Sequence, residues 1–186
     1  MTDAEILALY WRRDEAALAA TREKYGAYCH AVADNILSSH EDAEECVSDA
    51  LWRAWNAIPP QRPAYLRAFL AKITRNLALN RYKARAAEKR GGGELPAVLE
   101  ELADCLSAKA DVESEVQAKE LTAGVNHFLR TLPPRECDVF LRRYFYVEPV
   151  ADIARRYALR ESHVLVLLSR TRNKLRRYLR QEGYIE

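Results

Sequence analysis

The chain has 186 residues and a formal net charge of +2, and 49% of its residues are hydrophobic. This apolar content is enough for a packed core, in one ordinary domain or in two small ones. Abundant Ala, Leu, Glu and Arg, with only six Gly, predict an all-α fold, because those side chains lose little rotamer freedom in a helix. No apolar run reaches the roughly eighteen residues of a membrane span, and the N-terminus lacks the pattern of a signal peptide. We therefore expect a cytoplasmic protein.

The cysteines and histidines give no sign of a metal site or a catalytic centre. The cysteines are widely spaced and include no Cys-x-x-Cys pair, so we expect free thiols. They are Cys29, Cys46, Cys105 and Cys137. No Gly-x-x-x-x-Gly-Lys phosphate loop is present, and no His follows a Glu by three residues. We expect neither a cofactor nor an enzymatic activity.

The sequence pattern of the first part of the chain predicts three helices, and the third of them is acidic. Two N-terminal helices are predicted from apolar residues at helical spacing, namely Ile6, Leu9, Tyr10, Leu18 and Ala19, then Tyr25, Tyr28, Val32 and Ile36. After a turn, a third helix is predicted to start near Glu41 with acids in its first turn, and Pro59 and Pro60 end it. Residues 26 to 52 hold six acids and no Lys or Arg. An acidic segment and a basic segment attract partners of opposite charge, so the acidic segment is expected to bind a different partner from any basic segment of the chain.

The next predicted helix is amphipathic and basic. It begins after Pro63, and residues 62 to 90 hold nine Lys or Arg against the single acid Glu88. Gly91 to Gly93 predict a break in the helix, since Gly is costly in a helix interior. We place the first domain at residues 1–90, a flexible linker at 91–111 and a second helical domain at 112–186. The linker's Leu95, Val98, Leu99 and Leu102 would also suit a short docked helix.

The second domain carries a helix-turn-helix pattern from Val150 to Leu167. Its apolar positions are Ile153, Ala154, Tyr157, Leu159, Val164 and Leu167, where two helices crossing at a tight turn must touch. Pro149 suits the first turn of the first of these helices. The second helix of such a motif enters the major groove of DNA. Residues 123–186 hold thirteen Lys or Arg against seven acids. Basic segments in both halves of the chain therefore indicate bipartite promoter recognition.

Six segments, in order, resemble those of the extracytoplasmic-function sigma factors of the sigma-70 family. Residues 42–55 resemble the helix that binds core RNA polymerase. Residues 71–82 resemble the segment that binds and melts the minus-ten element. In the family, the loop before this segment takes part in the melting, and here that loop is roughly residues 56–65. Residues 129–136, 139–145, 152–154 and 168–172 resemble the domain that binds the minus-thirty-five element.

The resemblance implies a sigma factor that binds core RNA polymerase and directs promoter-specific transcription initiation. The residues it assigns to core polymerase are Asp42, Glu45, Asp49 and Arg53. Those it assigns to minus-ten DNA are Tyr65, Lys72, Arg75, Asn76, Asn80, Arg81 and Lys83. Those it assigns to minus-thirty-five DNA are Arg160, Glu161, Ser162, His163, Val166, Arg170 and Arg172. Helical spacing places Glu45, Asp49 and Arg53 on one exposed face, and the cations suit phosphate contacts.

Four positions depart from the family pattern. Arg160 replaces the Ser that usually caps the recognition helix, so a cap must come from elsewhere or be absent. Leu165 and Leu167 replace Lys and Arg, which predicts weaker electrostatic affinity or an altered minus-thirty-five preference. Asn80 replaces Asp. Leu165 and Val166 are open to two interpretations, contact with thymine methyl groups or packing against a partner protein.

The alternative function is a conventional helix-turn-helix regulator whose N-terminal half senses a signal or dimerises. The acidic helix discriminates between the two, because only a sigma factor needs Asp49 and Arg53 for polymerase binding. An anti-sigma factor is a further expected partner, whose existence and type the sequence leaves open.

Overall fold

The computed structural model describes residues 1–86, 94–106 and 115–185, and within these ranges it contains helices and no strand. The helices are α1 (Asp3–Trp11), α2 (Ala16–Leu37), α3 (His40–Ala57), α4 (Leu66–Ala86), α5 (Glu94–Leu106), α6 (Glu115–Thr131), α7 (Pro134–Tyr144), α8 (Val150–Tyr157) and α9 (Glu161–Gln181). The predicted all-α class is confirmed. Among these helices none is long and apolar enough to cross a membrane. The predicted break at Gly91 to Gly93 and the predicted domain start near Val112 lie outside the described residues.

The chain divides into two compact units, Met1–Gly93 and Glu94–Glu186. Two helical domains were predicted, and two are present. One helix is grouped differently from the prediction: α5 falls within the predicted linker, residues 91–111, yet belongs to the second unit.

The first unit consists of α1 to α4, whose apolar faces meet in one core. Ile6 and Tyr10 of α1 and Leu66 and Leu70 of α4 are completely buried in it. The Tyr10 hydroxyl shares a 3.0 Å hydrogen bond with the hydroxyl of Thr21, so this buried polar group is satisfied. Burial of each large apolar side chain stabilises the unit by about 2 kcal/mol relative to exposure, and the four helices are held as one body.

Local signals set the ends of α3. Ser38 adopts a left-handed conformation with φ of 51°, which ends α2. The Ser39 side chain then accepts a hydrogen bond from the backbone N–H of Asp42 and caps α3. The helix ends at Ala57, just before the buried Ile58 and the two prolines. These turns fix the direction of α3 and of the loop that leads into α4.

In the second unit, α8 and α9 form the predicted helix-turn-helix. Ile153 and Val164 are fully buried between them, and Ala154 is 4% exposed, so a small side chain lies where the helices pass closely. Ala158 turns the chain with a φ of 51°. Pro149 lies at the N-cap of α8, one position before the first turn in which the sequence placed it.

Helix α5 packs against α7 and α9. Leu95 and Val98 of the predicted apolar set are buried, and Cys105 joins them, whereas Leu99 is 50% exposed. The structure therefore contains the short docked helix that the sequence offered as an alternative to a flexible linker. This helix, α5, adds an acidic element to the second unit.

Candidate nucleic-acid interface

The outward face of α3 carries the predicted polymerase-binding residues, in different environments. The side chains of Glu45 and Asp49 are 67% and 50% exposed. Arg81 of α4 bridges them, with nitrogen–oxygen distances of 2.8 Å to Glu45 and 2.6 Å to Asp49. These hydrogen bonds raise the pKa of the Arg81 guanidinium, and the bond to Glu45 has the largest effect. Arg81, predicted to contact minus-ten DNA, thus already neutralises part of the acidic face.

Asp42 is the least accessible member of the predicted polymerase set. Only 16% of its side chain is exposed, and both of its carboxylate oxygens accept hydrogen bonds from Arg85. The hydrogen bonds from Ser39 and from Arg85 lower its pKa. These contacts give Asp42 a role inside the unit, at the start of α3 and against the end of α4.

Trp52 is a prominent exposed residue of α3 that the sequence reasoning did not select. Its side chain is 61% exposed. It lies three residues after Asp49 and seven after Glu45, so it shares their outward face. A cavity of about 220 Å³ adjoins it and is lined by Leu18, Ala19, Arg22, Ser48, Leu51 and Trp52. The available signal was an aromatic residue one helical turn after an acid that was itself predicted to be exposed.

The residues predicted to bind minus-ten DNA are distributed along α4 and the preceding loop. The exposed ones are Tyr65, Lys72, Asn76, Asn80 and Lys83. Tyr65 is 79% exposed. Arg75 is half-buried, and burial lowers the pKa of its guanidinium. The accessible set therefore combines two lysines, two amides and an aromatic ring, which suit phosphates and unpaired bases.

A cavity of about 550 Å³ opens where α3, α4 and their connecting loop meet. Its lining residues are Arg53, Asn56, Ala57, Gln61, Phe69, Lys72, Ile73 and Asn76. It brings Arg53, from the predicted polymerase set, together with Lys72 and Asn76, from the predicted minus-ten set. Apolar walls with a few cationic and amide groups are typical of a ligand site of this size. The loop was predicted from the sequence as part of the DNA site, but Gln61 was not, although an amide directly after two prolines was the available signal.

The N-terminal half of α9 presents most of the predicted minus-thirty-five residues to solvent. Those that are exposed are Arg160, Glu161, Ser162, His163, Val166 and Arg170. Arg160 is the N-cap residue of α9 and makes no side-chain capping hydrogen bond. Among the described residues, the start of the recognition helix thus lacks the side-chain cap that the family pattern supplies.

Arg172 lies in a different environment from the other residues of this set. Its guanidinium donates to Glu101 of α5 at 3.0 Å and also contacts the Tyr144 hydroxyl. Glu101 accepts from Arg143 at 2.7 Å and from the Tyr144 hydroxyl at 2.7 Å. Arg143 is only 4% exposed and also pairs with Glu94. We call these five residues the α5 network, and it neutralises Arg172 within the second unit.

The α5 network depends on an ionised Glu101. Burial acts to raise the pKa of Glu101, but the hydrogen bonds from Arg143 and Tyr144 outweigh it, and the pKa is lowered. Burial and the bond to Glu101 raise the pKa of the Tyr144 hydroxyl, which stays protonated and donates. The network is therefore a set of charge-assisted hydrogen bonds between α5, α7 and α9.

The cysteines are free thiols, as predicted. Cys29, Cys46 and Cys105 are buried and Cys137 is half-buried. Burial raises the pKa of Cys46 to about 11 and also raises that of Cys29 and Cys105. In the part of the chain that the structure describes, no group of three or more His, Cys, Asp or Glu side chains is placed to hold a metal ion.

Comparison with protein families identifies both units. The family model for Sigma-70 region 2 matches residues 22–88, and the model for Sigma-70, region 4 matches residues 128–177. The two matches together cover more than half of the chain. The chain belongs to the sigma-70 family. No curated protein matches the sequence in a separate comparison.

This sigma factor has regions 2 and 4 and the small size of the extracytoplasmic-function subgroup. It directs promoter recognition and transcription initiation, and its regions imply interaction with core RNA polymerase and promoter DNA. Members of the family are DNA-binding regulators rather than enzymes. The alternative of a conventional helix-turn-helix regulator is not favoured, because region 2 accounts for the N-terminal half. Helix α5 lies outside both matched segments.

The missing cap on α9 leads to a first prediction. Arg160→Ser is expected to raise the free energy of unfolding of the second unit by about 1 kcal/mol, because a Ser hydroxyl can accept from a backbone N–H at the start of α9. The change also removes an exposed cation, so the negative slope of log affinity for promoter DNA against log salt should become less steep by about one. Chemical denaturation and DNA binding at several salt concentrations measure the two effects.

Arg160→Ala is the matched control, since it removes the cation without supplying a hydrogen-bond acceptor. It should reproduce the change in salt slope and show no gain in stability. Equal stability of the Ser and Ala variants would contradict the capping argument.

Proposed function

We propose that this sigma factor uses three separate surfaces in transcription initiation. The outward face of α3, with Glu45, Asp49 and Trp52, binds core RNA polymerase. The cavity beside α4, together with Tyr65, captures minus-ten DNA. The N-terminal half of α9 enters the major groove at the minus-thirty-five element. The protein acts in the cytoplasm with polymerase, and an anti-sigma partner stays a prediction to which no surface is assigned.

The 550 Å³ cavity is the observation that carries this proposal. Melting requires that a base leave the duplex and find hydrogen-bonding and stacking partners elsewhere. The cavity offers the ring of Phe69 as an apolar wall and the amides of Asn56, Gln61 and Asn76 as donors and acceptors. Lys72 supplies a cation at its edge for the phosphate that accompanies the base. A cavity with this chemistry suits a single unstacked base.

The assignments of Arg53, Asp42 and Arg172 follow their surroundings. Arg53 lines the cavity, so we assign it to the boundary between polymerase and DNA contacts. Asp42 is held by Arg85, and Arg172 by Glu101 and Tyr144. For these two residues we propose roles within their own units rather than direct contacts with polymerase or DNA.

Asn76→Ala is expected to reduce open-complex formation by about tenfold, the effect of losing one good base contact. Affinity for core polymerase should stay unchanged, because Asn76 lies in the cavity and not on the outward face of α3. Permanganate reactivity of unpaired thymines in a complex of promoter, core polymerase and the variant measures the opening.

Asn80→Ala is the matched comparison, because Asn80 is an exposed amide one helical turn further along α4 and outside the cavity lining. We expect Asn80→Ala to reduce open-complex formation by less than half as much as Asn76→Ala, on a logarithmic scale. Equal losses for the two variants would contradict capture in the cavity.

Run-off transcription with purified core polymerase tests the function as a whole. With this protein present, new discrete start sites sharing two upstream elements are expected on a pool of promoter fragments. Binding of the protein alone to duplex DNA, without any new start site, would contradict it.

A further inference from the structure

The middle of the recognition helix presents apolar groups where cations would be expected. Between Arg160 and Arg170 the sequence contains no Lys or Arg. Leu165 and Val166 lie in this interval and are 50% and 46% exposed. Exposed apolar side chains on a surface that must meet DNA require a favourable partner there.

The two residues point to different sides of α9. The helix is held to its unit by Val164 and Leu168, which are fully buried. Val166 follows Val164 by two residues, so it lies about 200° further around the helix axis, on the side that faces away from the unit. Leu165 lies about 100° from Val164, on the flank. Val166 therefore occupies the centre of the outward face.

The immediate neighbours of Val166 on that face are polar. Ser162 and Arg170, at i−4 and i+4, are both exposed. A hydroxyl and a guanidinium can bond base edges or phosphates on either side of the isopropyl group. Val166 itself can neither donate nor accept a hydrogen bond.

In the major groove, the C5-methyl of thymine is the apolar group that a base edge offers. Against cytosine, adenine or guanine at the same position, an isopropyl group would cover an amino group or a carbonyl oxygen without replacing its hydrogen bond to water. Thymine is therefore the base at which the contact buries an apolar group of the protein, the isopropyl group of Val166, against an apolar group of the DNA, the C5-methyl group.

We propose that Val166 reads the C5-methyl group of one thymine in the minus-thirty-five element of this sigma factor. The proposal rests on the function proposed above, since it requires α9 to lie in the major groove. It assigns Val166 as the specificity-determining residue at that base pair, and it assigns Leu165 no such role.

The experiment compares promoter fragments in which single thymines are replaced by deoxyuridine, which lacks only the methyl group. The upstream element is first defined by run-off transcription, and each of its thymines, on either strand, is then replaced in turn. Binding of the complex of core polymerase and full-length sigma factor should fall about fourfold at one position, the effect of one buried methyl group. With Val166→Ala, binding should be weaker on the natural fragment and insensitive to deoxyuridine at that position.

Leu165→Ala is the matched control and should keep the fourfold sensitivity. Three results would overturn the proposal: no thymine responds to replacement, Val166→Ala keeps the full sensitivity, or Val166→Ala weakens binding to core polymerase instead. The last result would show that a protein partner covers Val166. Unchanged start sites in run-off transcription would show in each case that the proposed function stands although the methyl contact does not.

Discussion

Replacing Glu101 with alanine is expected to lower the free energy of unfolding of the second unit by about 3 kcal/mol. Glu101 accepts hydrogen bonds from Arg143, Tyr144 and Arg172. Arg143 is only 4% exposed, so its charge would lose its more buried carboxylate partner and keep Glu94. A buried charge that loses a partner is among the larger sources of destabilisation by single substitutions.

The positions of the tryptophans allow this effect to be assigned to one unit. Trp11, Trp52 and Trp55 all belong to the first unit, whereas both units contribute to the helical circular dichroism signal. In urea denaturation, Glu101→Ala should leave the tryptophan fluorescence transition in place and move part of the circular dichroism transition to lower urea. Glu100→Ala, which removes the adjacent exposed acid of α5, should move neither. Equal stability of the two variants would contradict a structural role for the α5 network.

The α5 network marks the limit of what the sequence predicts about the fold. Hydrophobic spacing predicted most helices and the helix-turn-helix, because each buried stripe lies within one helix or two adjacent ones. The docking of α5 depends on contacts between residues that are 42 and 71 positions apart, Glu101 with Arg143 and with Arg172. From the sequence alone, an acidic segment that follows three glycines is interpreted as a linker. Its docking as α5 becomes apparent only when its distant basic partners are known.

The candidate surfaces also combine features that are local in the sequence with features that depend on distant residues. Helical periodicity predicted that Glu45, Asp49 and Arg53 lie on one exposed face. Glu45 and Arg53 are exposed, and the side chain of Asp49 is 50% exposed. Periodicity could not show that Arg81, 36 positions from Glu45, is bound to the acidic face. A charge pattern gives the sign of a surface, whereas a fold determines which charges are already paired inside it.

Trp52→Ala is expected to weaken binding to core RNA polymerase by about thirtyfold or more, the range of an interface hot spot. Trp52 is 61% exposed beside Asp49 and a 220 Å³ cavity, so a partner can bury a large aromatic surface there. Because Trp52 contributes little to the core, the variant should keep the stability of the first unit. Titration of labelled core polymerase with the variant measures the affinity, and thermal unfolding checks the fold.

Tyr65→Ala is the matched control, since Tyr65 is another exposed aromatic residue of the same unit, 79% exposed in the loop before α4. We expect it to bind core polymerase normally and to reduce open-complex formation, by the roughly tenfold loss of one base-stacking contact. Trp52→Ala, assayed at saturating concentration, should open promoters normally once bound. This double dissociation follows from two surfaces with different partners on one small unit. If both variants lost polymerase affinity to the same extent, α3 and the loop would form a single polymerase-binding surface, and the cavity beside α4 would not be free to receive a base.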